Sequence, residues 1–203
     1  MILHDYWRSS ASYRVRIALN LKGVGYTLAG HDLRTGEQRA GDYLALNPQG
    51  LVPALELDGE VFAQSGAIIE LLDELHPQPP LLPRDPKARA RARAMAAVIA
   101  CDIHPLNNLR VLKALREIGA DEGAWIARWI GEGFAALEPR IVGPYAFGEA
   151  PGLVDCFLVP QVYNAERFGV DLTPYPRLMA AAAHARAHPA VAAAHPDQQP
   201  DAG

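Results

Sequence analysis

Two serines followed by good helix formers, Ser9-Ser10-Ala11-Ser12-Tyr13-Arg14-Val15-Arg16-Ile17-Ala18-Leu19, make the stretch of this sequence best suited to chemistry. The apolar Met1-Ile2-Leu3 before it is long enough for a brief strand, and Gly23 supplies a stop signal after it. A strand therefore feeds a helix through a turn rich in hydroxyls. The start of a helix carries unpaired backbone N–H groups and a partial positive charge, and both favour an anion. A hydroxyl beside those donors can hydrogen-bond a thiolate or an oxyanion and stabilise its charged form. Ser9 or Ser10 serves equally well as a plain N-cap, a common place for serine.

Other polar groups sit at positions with a similar double reading. Gln64-Ser65 precedes an apolar helical run, so its N–H groups and the Ser65 hydroxyl suit a carboxylate. Val52-Pro53 stands just before a strand, where proline's missing donor is tolerated. The segment Cys101-Asp102-Ile103-His104-Pro105-Leu106-Asn107-Asn108-Leu109-Arg110 is polar for the middle of a helix, and its polar side chains need partners if buried. A surface turn explains it too. Arg167 is a candidate anion ligand or the partner of a neighbouring carboxylate such as Glu166.

The elements that must position these groups fall into two halves. Residues 1 to about 75 alternate strand-like and helix-like stretches: strand at Met1–His4, helix over 10–22, strand at Tyr26–Leu28. Two further strands, Ala54–Leu57 and Glu60–Ala63, flank the hairpin signal Asp58-Gly59, and a helix runs over 66–75. The order βαβ then ββα predicts a thioredoxin-like α/β domain over residues 1–80. Residues 76–86 hold five prolines and read as a linker. Beyond them the pattern is all-helical and Ala-rich, giving a second domain over 87–203. Its helices are expected over 87–118 (bending near Pro105), 121–142, 153–167 and 175–187, with a tail after Pro189 that frays.

Composition narrows the function classes. The 203 residues are 50% hydrophobic and 21% charged, which suits a globular protein rather than a disordered one. A net charge of −4 argues against a nucleic-acid partner or an anionic membrane surface. No apolar run approaches a membrane span, and no signal-peptide pattern opens the chain, so a cytoplasmic location is expected. Cys101 and Cys156 form neither a metal pattern nor a disulfide framework. His184 and His188 have the spacing of a metal pair but lack a third ligand, and no metal is expected. Lys87, Arg89, Arg91 and Arg93 scatter around their helix and read as a solvated face.

The run Ser9-Ser10-Ala11-Ser12-Tyr13-Arg14-Val15-Arg16-Ile17-Ala18-Leu19 resembles the N-terminal signature of zeta-class glutathione transferases, the family of maleylacetoacetate and maleylpyruvate isomerases. Many members have Cys where this chain has Ala11. The resemblance covers nearly the whole chain and implies the glutathione transferase plan, an α/β thioredoxin-like domain followed by an all-α domain. It implies glutathione as cofactor, with Ser9 first and Ser10 second as the hydroxyl facing its sulfur and Ala11 beside them. Gln64 and Ser65 match the pair that grips the γ-glutamyl carboxylate, and Gln38 and Gln49 fall where the glycyl and cysteinyl parts are contacted. The Val52–Pro53 bond would be cis, turning the Val52 backbone towards a peptide ligand. Asp102, His104, Asn108 and Arg110 would face the cleft, near glutathione or substrate, and Arg167 would reach a substrate carboxylate. Gly152 falls where the superfamily usually carries the Ser or Thr of a capping box, so the side-chain half of that box is missing.

The implied activity is cis–trans isomerisation of a maleyl β-keto acid in the catabolism of aromatic compounds, tyrosine among them. A thiolate adds to the activated double bond, which rotates while single and reforms trans. Such a site must lower a thiol pKa from about 8.5. It must also hold a dicarboxylate, for which the guanidinium forks of Arg8, Arg110 and Arg167 are suited. A homodimer is implied as well. Two other readings remain: a transferase that conjugates or dehalogenates α-halo acids with net use of glutathione, and a non-catalytic dimerisation module.

Overall fold

The computed structural model describes residues 1–202, which form two compact units. The first comprises Met1–Pro80 and the segment from His188 onward; the second is Leu81–Ala187.

In the first unit, β1 (Ile2–Asp5), β2 (Thr27–Gly30), β3 (Ala54–Leu57) and β4 (Glu60–Ala63) form one sheet in the order β2-β1-β3-β4. β1 runs parallel to β2, with Leu3 opposite Leu28, and antiparallel to β3, with Leu3 opposite Leu55. The parallel pair demands a crossover, which α1 (Ser10–Lys22) provides. β3 and β4 are joined at Asp58-Gly59, where both residues have positive φ (52° and 84°) as a tight two-residue hairpin turn requires. A short helix α2 (Gly41–Leu46) precedes β3, and α3 (Ser65–Leu75) follows β4.

α1 is buried along almost its whole length because it is covered from more than one side. It packs against α3 and, less expectedly, against α9 (Pro189–Ala193). The tail after Pro189 does not fray. His188 caps α9 through Nδ1, which accepts the Ala190 N–H, and Asn20 on α1 donates to the Ala190 carbonyl at 3.0 Å. Val191 and Ala194 are fully buried, so the tail gains apolar burial in place of disorder. At the other end of α1, Gly23 takes the left-handed C-cap conformation at φ 64°. The buried Lys22 ammonium there holds Asp73 at 2.6 Å and the carbonyls of His76 and Pro79.

The second unit is helical: α4 (Pro86–Ala97), α5 (Leu109–Glu117), α6 (Glu122–Leu137), α7 (Leu153–Arg167) and α8 (Pro176–Ala187). The single bent helix expected over 87–118 is in fact two. Pro105 brings no N–H and its ring crowds the preceding turn. The backbone widens into a π turn over Val98–Ile103 and tightens into a 3-10 turn over His104–Asn107; it restarts at Asn108, whose side chain caps α5. Trp125 on α6 steadies that break by donating to the Leu106 carbonyl at 2.8 Å.

Gly152 at the head of α7 has a steric reason beyond capping. A Cβ there would lie 2.8 Å from the Leu81 carbonyl oxygen, which accepts the Leu153 N–H at 2.8 Å. The acidic half of the box survives, with Asp155 accepting the N–H groups of Gly152 and Ala146, both at 2.9 Å. Burial pushes the Asp155 carboxyl up to about 6, against the pull of those N–H groups. A folded pKa above the unfolded value near ~4 means that the native state binds the extra proton between the two. The contribution of Asp155 to stability is thus greatest below about pH 4 and declines by a total of about 3 kcal/mol as pH rises through about 6. Denaturant unfolding of the wild type and Asp155→Asn should show their difference changing over that window; a gap that ignores pH would refute the assignment.

Candidate active site

The turn between β1 and α1 is built as the amino-acid pattern predicts. The Ser9 N–H donates to the Tyr6 carbonyl at 2.8 Å, closing a four-residue turn, and Ser9 is the N-cap of α1. Its Oγ accepts the Ser12 N–H at 3.3 Å. A hydroxyl that accepts in this way keeps its own proton to donate elsewhere. Ser9 is half-buried, whereas Ser10 is buried and already helical. Ala11 is half-buried in the first turn. Arg8 is also half-buried, lying 5.2 Å over the Trp7 ring with its Nη2 donating to the Tyr6 hydroxyl at 3.4 Å.

A second helix start is tied to the first. Arg14, buried on α1, donates from Nη1 to Ser65 Oγ at 3.3 Å. Ser65 therefore accepts from behind and retains its proton for an anion at the head of α3. Nothing in the spacing marked Arg14 as a site residue, because only the packing of α1 on α3 brings it there. Gln64, exposed beside Ser65, has φ 71°, a left-handed conformation uncommon outside glycine. That geometry turns its amide to Gln49, whose Oε1 accepts from Gln64 Nε2 at 2.9 Å.

The segment before β3 completes the arrangement. The Val52–Pro53 peptide is cis. The ladders of β3 begin at Ala54, so Val52 lies outside them. The carbonyl of the preceding residue, Leu51, accepts from the Tyr43 hydroxyl (2.6 Å) and the Asn47 amide (2.8 Å). Val52, Tyr6, Tyr43 and Ala54 form a small buried cluster against which Trp7 packs. Gln38 sits in a 3-10 turn over Glu37–Arg39, with Oε1 buried and lacking a partner among the described residues. Its backbone carbonyl lies where a Cβ on Gly50 would be only 2.9 Å away, and Gly50 has φ +58°. Gly50→Ala should therefore cost about 1–3 kcal/mol in strain and push Gln38 out of place. Thermal unfolding and titration with the thiol ligand would check this, since unchanged affinity would separate Gln38 from the site.

The helical unit carries the remaining candidates. Asp102 is exposed on the π turn, and His104, half-buried, opens the 3-10 turn that follows. Asn108 spends its Oδ1 on the Arg110 N–H at 3.1 Å, leaving its amide protons available. Arg110 is exposed in the first turn of α5. These four share one continuous break in the helices. Arg167 is at the end of α7, stacked at 5.7 Å on both Tyr163 and Phe168. Glu166 pairs with Arg186 at 2.8 Å. His184 meets the Tyr145 ring edge-on at 4.6 Å.

Residues 3–80 match the glutathione S-transferase N-terminal domain family. Over 99% of this chain and 98% of the relative, the sequence is 54% identical to a maleylacetoacetate isomerase of Pseudomonas aeruginosa. The fold superposes with a TM-score of 0.98, at 49% identity and full coverage of both chains, on the holo structure of a maleyl pyruvate isomerase described as a zeta-class bacterial glutathione transferase. The chain belongs to the zeta-class glutathione transferase family. A second structure, the maleylacetoacetate isomerase of Anaeromyxobacter dehalogenans with glutathione bound in its active site, aligns with a TM-score of 0.91. It is 45% identical and covers 100% of this chain and 97% of that one. The zeta-class frame accounts for the thioredoxin-like sheet, the cis proline and the helical second unit together.

Proposed function

We propose that the chain catalyses cis–trans isomerisation of a maleyl β-keto acid, maleylacetoacetate or maleylpyruvate, with glutathione as a recycled cofactor. The observation that carries this reading is the joining of two helix starts, with Arg14 linking Ser65 on α3 to the helix headed by Ser9 and Ser10. The residues present fit a tripeptide with a carboxylate at each end. Ser65 has a free proton at one helix start, Gln64 and Gln49 are aligned beside it, and the buried Gln38 oxygen is unpartnered among the described residues. Val52, outside the sheet ladders, offers its backbone to the peptide. Asp102, His104 and Asn108 are assigned as further polar contacts to glutathione.

When bound, glutathione supplies the thiolate that adds to the activated alkene and leaves once the bond has rotated. Ser9 donates its hydroxyl proton towards that sulfur, and the N–H groups at the head of α1 add positive potential. Ser10 is the second hydroxyl for this task. Ala11 in place of the family's common cysteine leaves the assignment intact, because the nucleophile belongs to the cofactor. Arg8, His104, Arg110 and Arg167 are assigned to the substrate, with the guanidinium groups holding carboxylates and developing oxyanion charge.

Purified protein with glutathione and each maleyl substrate should bleach the cis chromophore while free thiol stays constant through many turnovers. Falling thiol would instead mark a transferase acting on halo acids, and no thiol binding would refute the reading. Among the described residues no helix is long and apolar enough to cross a membrane. A cytoplasmic homodimer acting in tyrosine and related aromatic catabolism completes the proposal; light scattering on the purified protein tests its oligomeric part.

A further inference from the structure

The Trp7 backbone is held on both sides of its Cα, by a side chain of α1 and by one from the C-terminal segment. Its carbonyl accepts from Arg16 Nη2 at 2.8 Å, and its N–H donates to Asp201 Oδ2 at 3.3 Å. Arg16 is fully buried and has no freedom to choose other partners. Its Nη1 is fixed on both Asp5 oxygens, at 2.9 and 2.6 Å, and its Nε donates to the Ala194 carbonyl at 3.1 Å. Ala194 and Asp201 both belong to the C-terminal segment that docks on α1. Room for the Asp201 carboxylate exists because β2 ends in glycine. A Cβ on Gly30 would come within 3.3 Å of Asp201 Oδ2.

We propose that the C-terminal segment is a brace for the catalytic turn, with Arg16 and Asp201 as positioning residues that fix the two peptides flanking the Trp7 Cα and thereby aim Arg8 and Ser9. The turn has one internal backbone bond, from Ser9 N–H to Tyr6 carbonyl, so the two peptides that flank the Trp7 Cα would rock about it without outside anchors. Arg16 fixes the Trp7–Arg8 peptide through the Trp7 carbonyl, and Asp201 fixes the Tyr6–Trp7 peptide through the Trp7 N–H. A hydroxyl held within hydrogen-bond range of an anion loses most of its effect when displaced by about 1 Å, so small rotations here translate into rate. Helix α9 delivers Ala194 and then Asp201 to the turn. The docking of an otherwise polar, Pro- and Gln-rich tail thus gains a purpose beyond apolar burial.

This inference rests on the reading of Ser9 as the hydroxyl facing the thiolate, and the test separates the two. Asp201→Ala removes one anchor at an exposed position, away from the buried ion pair, and Gly30→Val displaces the same carboxylate by a different route. In both, hydrogen exchange at the Trp7 amide of the ligand-free protein should speed up by roughly fivefold or more, with the melting temperature nearly unchanged. With glutathione and a maleyl substrate, kcat should fall by roughly three- to tenfold at similar glutathione KM, and the bound thiol should titrate at higher pH. Asp201→Asn keeps an acceptor oxygen and should retain most of the wild-type rate and exchange protection. Wild-type exchange and kcat in Asp201→Ala and Gly30→Val would overturn the brace, as would a loss of activity with no change at the Trp7 amide. A wild-type protein that binds no thiolate would overturn the Ser9 reading alone, and Trp7 exchange would still decide the brace.

Discussion

Ser9→Ala should lower isomerase kcat by roughly tenfold to a hundredfold, the equivalent of ~1.5–3 kcal/mol for a hydrogen bond to a charged acceptor. The same variant loses the Oγ that accepts the Ser12 N–H, a cap worth about 1 kcal/mol, so its melting temperature should drop slightly too. Ser9→Gly separates the two effects, because glycine is a fair N-cap but has no hydroxyl. It should restore most of the stability and none of the rate. The pH profile adds a signature. Losing a donor to the thiolate raises the thiol pKa towards about 8.5, so the deficit should shrink as pH rises towards that value. Ser10→Ala should cost less, since Ser10 is buried and lies one residue into the helix. Near-wild-type turnover in Ser9→Ala would remove Ser9 from the chemistry.

Asp5→Ala should destabilise the protein by about 3–5 kcal/mol, a large share of a typical domain's margin. Asp5 and Arg16 pair at 2.6 Å with both side chains fully buried. Removing the carboxylate leaves a guanidinium charge in the interior with the carbonyls of Trp7 and Ala194 and the face of the Tyr13 ring, none of them a charged partner, to compensate it. Pairing Asp5→Ala with Arg16→Met should recover part of the loss, since neither charge is then orphaned. Urea unfolding of the wild type, both single variants and the double variant gives the coupling directly. Additive losses would show that the pair is not energetically linked. Because Arg16 also holds the Trp7 carbonyl, the double variant should regain stability without regaining full turnover.

Local patterns carried a large part of this protein. The hydroxyl-rich turn before α1, the Asp58-Gly59 hairpin, the proline-rich boundary and the change from strand to helix periodicity are all short-range signals. Each depends on backbone geometry that neighbouring residues impose on one another. The Ser9–Leu19 signature was enough to point to the zeta class, and with it to glutathione and a maleyl acid. The caps at Ser9 and Gly23 stand as the pattern implies, and the Val52–Pro53 bond is cis as the zeta-class resemblance implies.

Long-range packing decided the rest, for reasons no window of sequence contains. Nothing in its spacing distinguishes Arg14, and only the packing of α3 on α1 places Ser65 against it. The region around Pro105 has helical composition on both sides, and only the π and 3-10 turns reveal where the backbone yields. The tail has the Pro and Gln content of a disordered end, yet buried Val191 and Ala194 and the Arg16 and Asn20 side chains hold it on α1. Residue types and spacing therefore determined which chemistry the chain attempts. Tertiary structure determined which side chains hold the β1–α1 turn and the tail together, because buried and half-buried hydrogen bonds between residues more than a hundred positions apart exist only once the chain has folded.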